Sequence, residues 1–156
     1  LSGLVGSEMC IRDRYTTVAL ILTVFGLPNS GFADSRQLVE LPEMMWNHML
    51  ENIRDHLPAL TEIQQYLALE EYEKAAAVAE NRLGMSSLSG HGASHMASFM
   101  PTATQQIGTQ MHKAASQFVT FVQEGGLEGS TPKIADSLAG VMQQCVAGHS
   151  SYQVYP

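Results

Sequence analysis

Near the end of this 156-residue chain stands Cys145-Val146-Ala147-Gly148-His149. Covalent haem attachment uses Cys-x-x-Cys-His, in which two thiols become thioethers and the histidine ligates iron. Here the first cysteine and the histidine keep that spacing, while Gly148 stands in the second thiol's place. Two thioethers are therefore excluded at this motif. What remains is a thiol and an imidazole one helical turn apart, a pair able to hold a soft or borderline metal ion.

Other residues of the same chemistry accompany it. All six histidines and eight of the nine methionines fall within residues 34–156. Positions three, four and seven apart share a helix face. Met142, Cys145 and His149 therefore form one stripe, and Met45, His48, Met49, Asn52 and His56 fall on another. Between these segments lie His91, His95, Met96 and Met100. Thioether and thiolate sulfur favour Cu(I), and imidazole suits copper, zinc and iron. The expected metal set is Cys145, His149, Met142, Met45, Met49, His56, His91, His95, Met96 and Met100, with copper the expected ion. No Met-x-x-Met or His-x-His run repeats, so the fold must gather these donors from three segments.

Each donor also has a plainer reading. Methionine at helical spacing commonly fills gaps in a core. His91 and His95 sit among glycine and serine, as polar loop residues would. Cys145 could be an inert buried thiol. Met111 and His112 have less reason to point inward, and His112 beside Lys113 is expected on the solvated surface.

Four helical stretches would position these groups. The first opens at Leu41-Pro42-Glu43, with proline and an acid suited to a first turn. Its apolar residues recur through Met45, Met49, Ile53, Leu57, Leu60, Ile63 and Leu67, so Pro58 should kink it without ending it. The second runs roughly over 69–83 and stops at Gly84, and a small-residue loop covers 86–98. The third spans Pro101 to Val122 and stops at Gly125-Gly126, and the fourth runs from Thr131-Pro132 to about Tyr152. No strand alternation is visible. The expected fold is all-α, an antiparallel up-down-up-down four-helix bundle.

Helices in this order, with Cys145, His149 and Tyr152 in the last, resemble the cytochrome c′ family of periplasmic four-helix c-type cytochromes. The matching ending is Cys-x-x-Cys-His-x-x-Tyr-Arg, and Pro101 matches a proline that opens the third helix. Gly148 departs from that ending at the second cysteine, and Gln153 departs at its basic residue. The resemblance covers essentially all of residues 34–156. It implies haem c held by Cys145 with His149 as proximal iron ligand, and a pocket beside the 91–100 segment. It also implies a homodimer paired through the first two helices, where Trp46, Leu50 and Leu57 form an apolar edge that could equally cover a neighbouring helix.

The start of the chain reads differently. Leu1 to Arg14 (LSGLVGSEMCIRDR) resembles translated sequencing-adapter read-through and is set apart from the fold. Residues 15–33 read as a signal peptide, with an apolar run from Val18 to Leu27, too short to span a bilayer, and cleavage after Ala33. Export to a bacterial periplasm is expected, leaving residues 34–156 as one domain with no membrane segment. That domain keeps a single cysteine, so it has no internal disulfide framework. Its six basic against thirteen acidic side chains argue against nucleic acid as a partner.

The expected function is that of a haem-free protein binding copper or another soft metal through His, Met and Cys, for sequestration or delivery. One alternative is a haem protein with a single thioether at Cys145 and His149 on the iron, carrying electrons or binding small gases. Another is a cofactor-free structural or sensory bundle. An enzyme is not expected, because no activated nucleophile, paired carboxylates or phosphate loop stands out.

Overall fold

The computed structural model describes residues 34–128 and 131–156, with the side chains of 125–128 left aside. The expected adapter segment and signal peptide lie outside these residues. The described chain is mostly helical: β1 (Gln37–Glu40), α1 (Glu43–Ala68), α2 (Tyr72–Arg82), a 3-10 turn (Met85–Leu88), α3 (Ala93–Ala97), α4 (Thr102–Glu128), α5 (Thr131–Ser151) and β2 (Tyr152–Tyr155). Ser35–Pro156 form one compact unit. No helix among the described residues is long and apolar enough to cross a membrane.

Helix α1 begins as its sequence suggests. Pro42 is the residue before the helix, its carbonyl accepts from the Trp46 N–H at 2.9 Å, and Glu43 places an acid in the first turn. Pro58 lies inside the helix, and Ala59, Leu60 and Ile63 are buried just beyond it. The helix ends in a Schellman turn, in which the Glu71 N–H donates to Tyr66 O and the Glu70 N–H to Leu67 O. Glu70 adopts φ 59°, where glycine would be usual.

Consecutive long helices pack side by side: α1 on α2, α2 on α4, and α4 on α5. One core joins them, with Leu60 and Ile63 of α1, Ala75, Ala76 and Ala79 of α2, Phe118 and Val122 of α4, and Ile134, Leu138 and Val141 of α5. The alanine face of α2 lets its neighbours approach closely. Arg82, at the end of α2, is bidentate to Asp55 and also bonds Glu62, fastening α2 to α1.

Three features depart from the sequence reading, the first being the 3-10 turn and the short helix α3 where a loop over 86–98 was expected. Helix α4 runs through Gly125 and Gly126 to Glu128, because glycine weakens a helix by about 1 kcal/mol relative to alanine without forbidding it. The all-helical expectation also missed a short parallel strand pair, with Gln37 opposite Tyr152 and Glu40 opposite Tyr155. Four residues are too few for alternation to register. The Leu41 N–H extends this pairing to Tyr155 O at 3.0 Å. Beneath the strands lies a second small core of Val39, Leu41 and Met96, packed by Met45, Trp46, Met49, Met100, Tyr152 and Val154.

Candidate functional site

The donors of α1 fall at residues 45, 48, 49, 52 and 56, on one broad face. Segment 91–100 covers that face. At its far end Met45 and Met49 of α1 meet Met96 and Met100 in the second core, beside Trp46, whose indole Nε1 is buried without a hydrogen-bond partner. Four of the expected sulfur donors thus come together from two segments.

In the middle of the seam, α1 holds the backbone of His91. The His48 Nε2–H donates to His91 O at 3.0 Å and Asn52 Nδ2 donates to the same oxygen at 3.2 Å. The next residue, Gly92, has φ 62°. A Cβ there would stand 3.0 Å from His48 Nε2, so glycine permits both the left-handed turn and the close approach.

At the near end the imidazoles of His56, His91 and His112 face one another. Ring centroids are 5.5 Å apart for His56 and His91, 5.3 Å for His91 and His112, and 6.4 Å for His56 and His112. They come from α1, from the turn after the 3-10 segment, and from α4. His112, expected on the solvated surface, is only 7% exposed, and Met111 beside it belongs to the main core. Both can be buried because α4 is flanked by α2 and α5. The His112 Nδ1–H donates to Leu83 O at 2.8 Å, with Gly84 O at 3.2 Å and Ser87 Oγ at 3.3 Å. That assigns the lone pair to Nε2. His56 Nε2 is itself buried with no partner.

Burial lowers the pKa of all three rings, and charge repulsion adds to it at His56 and His91. Desolvation, then the neighbouring His91 and His112, lower the His56 pKa to about 4. Burial, followed by the nearby His112, lowers that of His91. For His112 burial outweighs the bonds to Leu83 and Gly84 and lowers it too. The nearby carboxylate of Asp55 is engaged by Arg82, which lowers its pKa. As the side chains stand, no group of three or more His, Cys, Asp or Glu among the described residues is arranged to hold a metal ion.

No protein-family model, curated protein or solved structure matches the chain.

The remaining expected donors lie elsewhere. His95 is exposed on α3. Met142 is 42% exposed and His149 lies on the outside of α5, its carbonyl accepting from Arg36 Nη1 at 3.3 Å. Cys145 is half-buried against the main core, where burial raises its pKa and disfavours the ligating thiolate. A haem held by both Cys145 and His149 needs them on one wall. Here Cys145 is half-buried and His149 is exposed one turn further along the same helix.

His112, His48 and Asn52 complete the seam, and only the last two stood on a stripe already noted. A signal for His112 was present. It lies four residues after Gly108 and three before Ala115, on a stripe that continues to Val119.

Proposed function

We propose that this chain is a haem-free, cytochrome c′-like four-helix bundle of the bacterial periplasm that binds copper, or another soft metal, for sequestration or delivery. Consecutive side-by-side packing of α1, α2, α4 and α5 supports an up-down-up-down bundle. The single observation that carries the metal reading is the seam between α1 and segment 91–100. It collects Met45, Met49, Met96 and Met100 at one end and His56 and His91 at the other. Six of the ten expected donors thereby share one strip of the molecule, at the contact of two segments. Thioethers carry no charge and give up no proton, which suits reversible binding of Cu(I).

Anaerobic titration of the full chain with Cu(I), against a competing chelator, tests this reading. The expected result is one Cu(I) held at the methionine end. A Met45→Leu, Met49→Leu variant, which keeps the packing volume, should bind at least about tenfold more weakly. Equal affinity in that variant, or no Cu(I) uptake by the parent chain, overturns the methionine site. A covalent haem band in the protein exported with haem maturation overturns the haem-free reading.

A further inference from the structure

We propose that His56, His91 and His112 form a tris-imidazole site for a borderline divalent transition-metal ion, of the Zn2+ or Cu2+ class. It deepens the metal-binding reading given above, using donors separate from the methionines and standing or failing apart from them.

The spacing of the three rings is near what such an ion requires, and small side-chain shifts must complete the arrangement. Metal–nitrogen bonds of about 2 Å at tetrahedral angles hold three imidazole centroids about 5 Å apart. The observed separations are 5.3, 5.5 and 6.4 Å. Two of the three edges already match, and the His56–His112 edge must shorten by roughly 1 Å on the same reckoning. The rings are tilted 48° and 48° to one another across His91 and are nearly perpendicular between His56 and His112. They do not stack on one another.

The surroundings add two features that packing alone does not call for. Histidine ligands usually donate their other ring N–H to a carbonyl or carboxylate, which fixes the tautomer and aims the lone pair. His112 does this through Nδ1 to Leu83 O at 2.8 Å. His56 supplies the complementary sign, a buried Nε2 with neither donor nor acceptor beside it. Buried polar atoms without partners are uncommon, and a metal ion would satisfy this one.

His91 completes the set from a different kind of element. Its ring sits on the turn between the 3-10 segment and α3, and its carbonyl is fastened to α1 by His48 and Asn52. The backbone is thus anchored, and the half-exposed side chain already stands at the matching distance from each of the two helical histidines. The donors are all imidazole. Asp55 and Glu62 are engaged by Arg82, and Cys145 packs against the main core from α5. Such a set excludes Ca2+ and Mg2+, which require oxygen, and leaves a fourth position for water or an incoming ligand.

Titration of the full chain with Zn2+, and separately with Co2+ as a visible probe, tests the site. The expected result is one ion per chain and an intense tetrahedral Co2+ spectrum. His91→Gln, on the half-exposed turn, and His56→Gln should each weaken Zn2+ binding at least about tenfold and change the Co2+ spectrum. Circular dichroism of each variant confirms that it is folded, and His91→Gln keeps the test decisive if a buried substitution fails. Failure of the parent chain to bind Zn2+, or unchanged Zn2+ affinity in both variants, overturns the tris-imidazole site whatever the Cu(I) result. Retained Zn2+ binding with no Cu(I) uptake supports this site and overturns only the methionine reading.

Discussion

His112 donates from Nδ1 to the carbonyl of Leu83 at 2.8 Å, joining the middle of α4 to the end of α2. Leu83 closes α2, so this carbonyl lies beyond the last helical residue, Arg82. Removing the donor leaves a buried acceptor without its principal partner. His112→Phe should therefore destabilise the metal-free protein by about 1–3 kcal/mol. His112→Asn, whose amide nitrogen can occupy the Nδ1 position, should lose less. Urea unfolding of the two variants checks the order, and equal losses would mean that packing, not this bond, sets the cost.

The left-handed Glu70 offers a prediction of opposite sign. At φ 59° its side chain serves no helix, and the Schellman bonds from Glu70 and Glu71 are made by backbone alone. A residue with Cβ is strained in that region by about 1–2 kcal/mol. Glu70→Gly relieves the strain while adding some freedom to the unfolded chain. The net expectation is a gain of roughly 0.5–1 kcal/mol, read as a rise in midpoint denaturant with unchanged m-value. A loss would show that Glu70 contributes through its side chain.

Acid should unfold the metal-free protein through the imidazole cluster. The His56 pKa falls from 6.5 to about 4 on folding. Between those values the unfolded chain binds the additional proton. Stability is therefore complete above pH 6.5 and declines as pH falls towards 4, with no further loss from this group below that. At about 1.4 kcal/mol per pKa unit the full loss is on the order of 3 kcal/mol. His91 and His112, also lowered, act in the same direction. Denaturant midpoints across pH 4–7 in the presence of a chelator should fall with acid, and His56→Gln should flatten the curve.

The sequence made the scaffold more legible than the site. Helical spacing through Pro58, the start at Pro42-Glu43 and the Thr131-Pro132 start of α5 were each readable from local chemistry. The strand pair was not, because its stabilising partner lies more than a hundred residues away and each strand has four residues. The methionines and histidines of α1 could be assigned to one face by spacing alone, but what covered that face could not. His112 shows the limit most clearly. Its stripe of Gly108, Ala115 and Val119 was weakly apolar, and the neighbouring Lys113 suggested solvent. Two flanking helices decided its burial, and adjacency of helices is not written in the period of any one of them.

Gly92 provides a last test of how the seam is held. Its φ of 62° would strain any residue with a Cβ, and that Cβ would press on His48 Nε2 from 3.0 Å. The contact falls on the same nitrogen that bonds His91 O, so Gly92→Ala should both strain the turn and loosen its anchorage to α1. The expected cost is about 1–2 kcal/mol in overall stability. Faster amide hydrogen exchange should be concentrated between residues 91 and 100. Gly90→Ala is the control: its Cβ would meet only Ser87 O, at 3.4 Å, and no positive φ is involved. It should lose much less. If both substitutions lose the same stability and exchange is unaltered along the segment, the His48–His91 clamp is not what holds the 91–100 segment against α1.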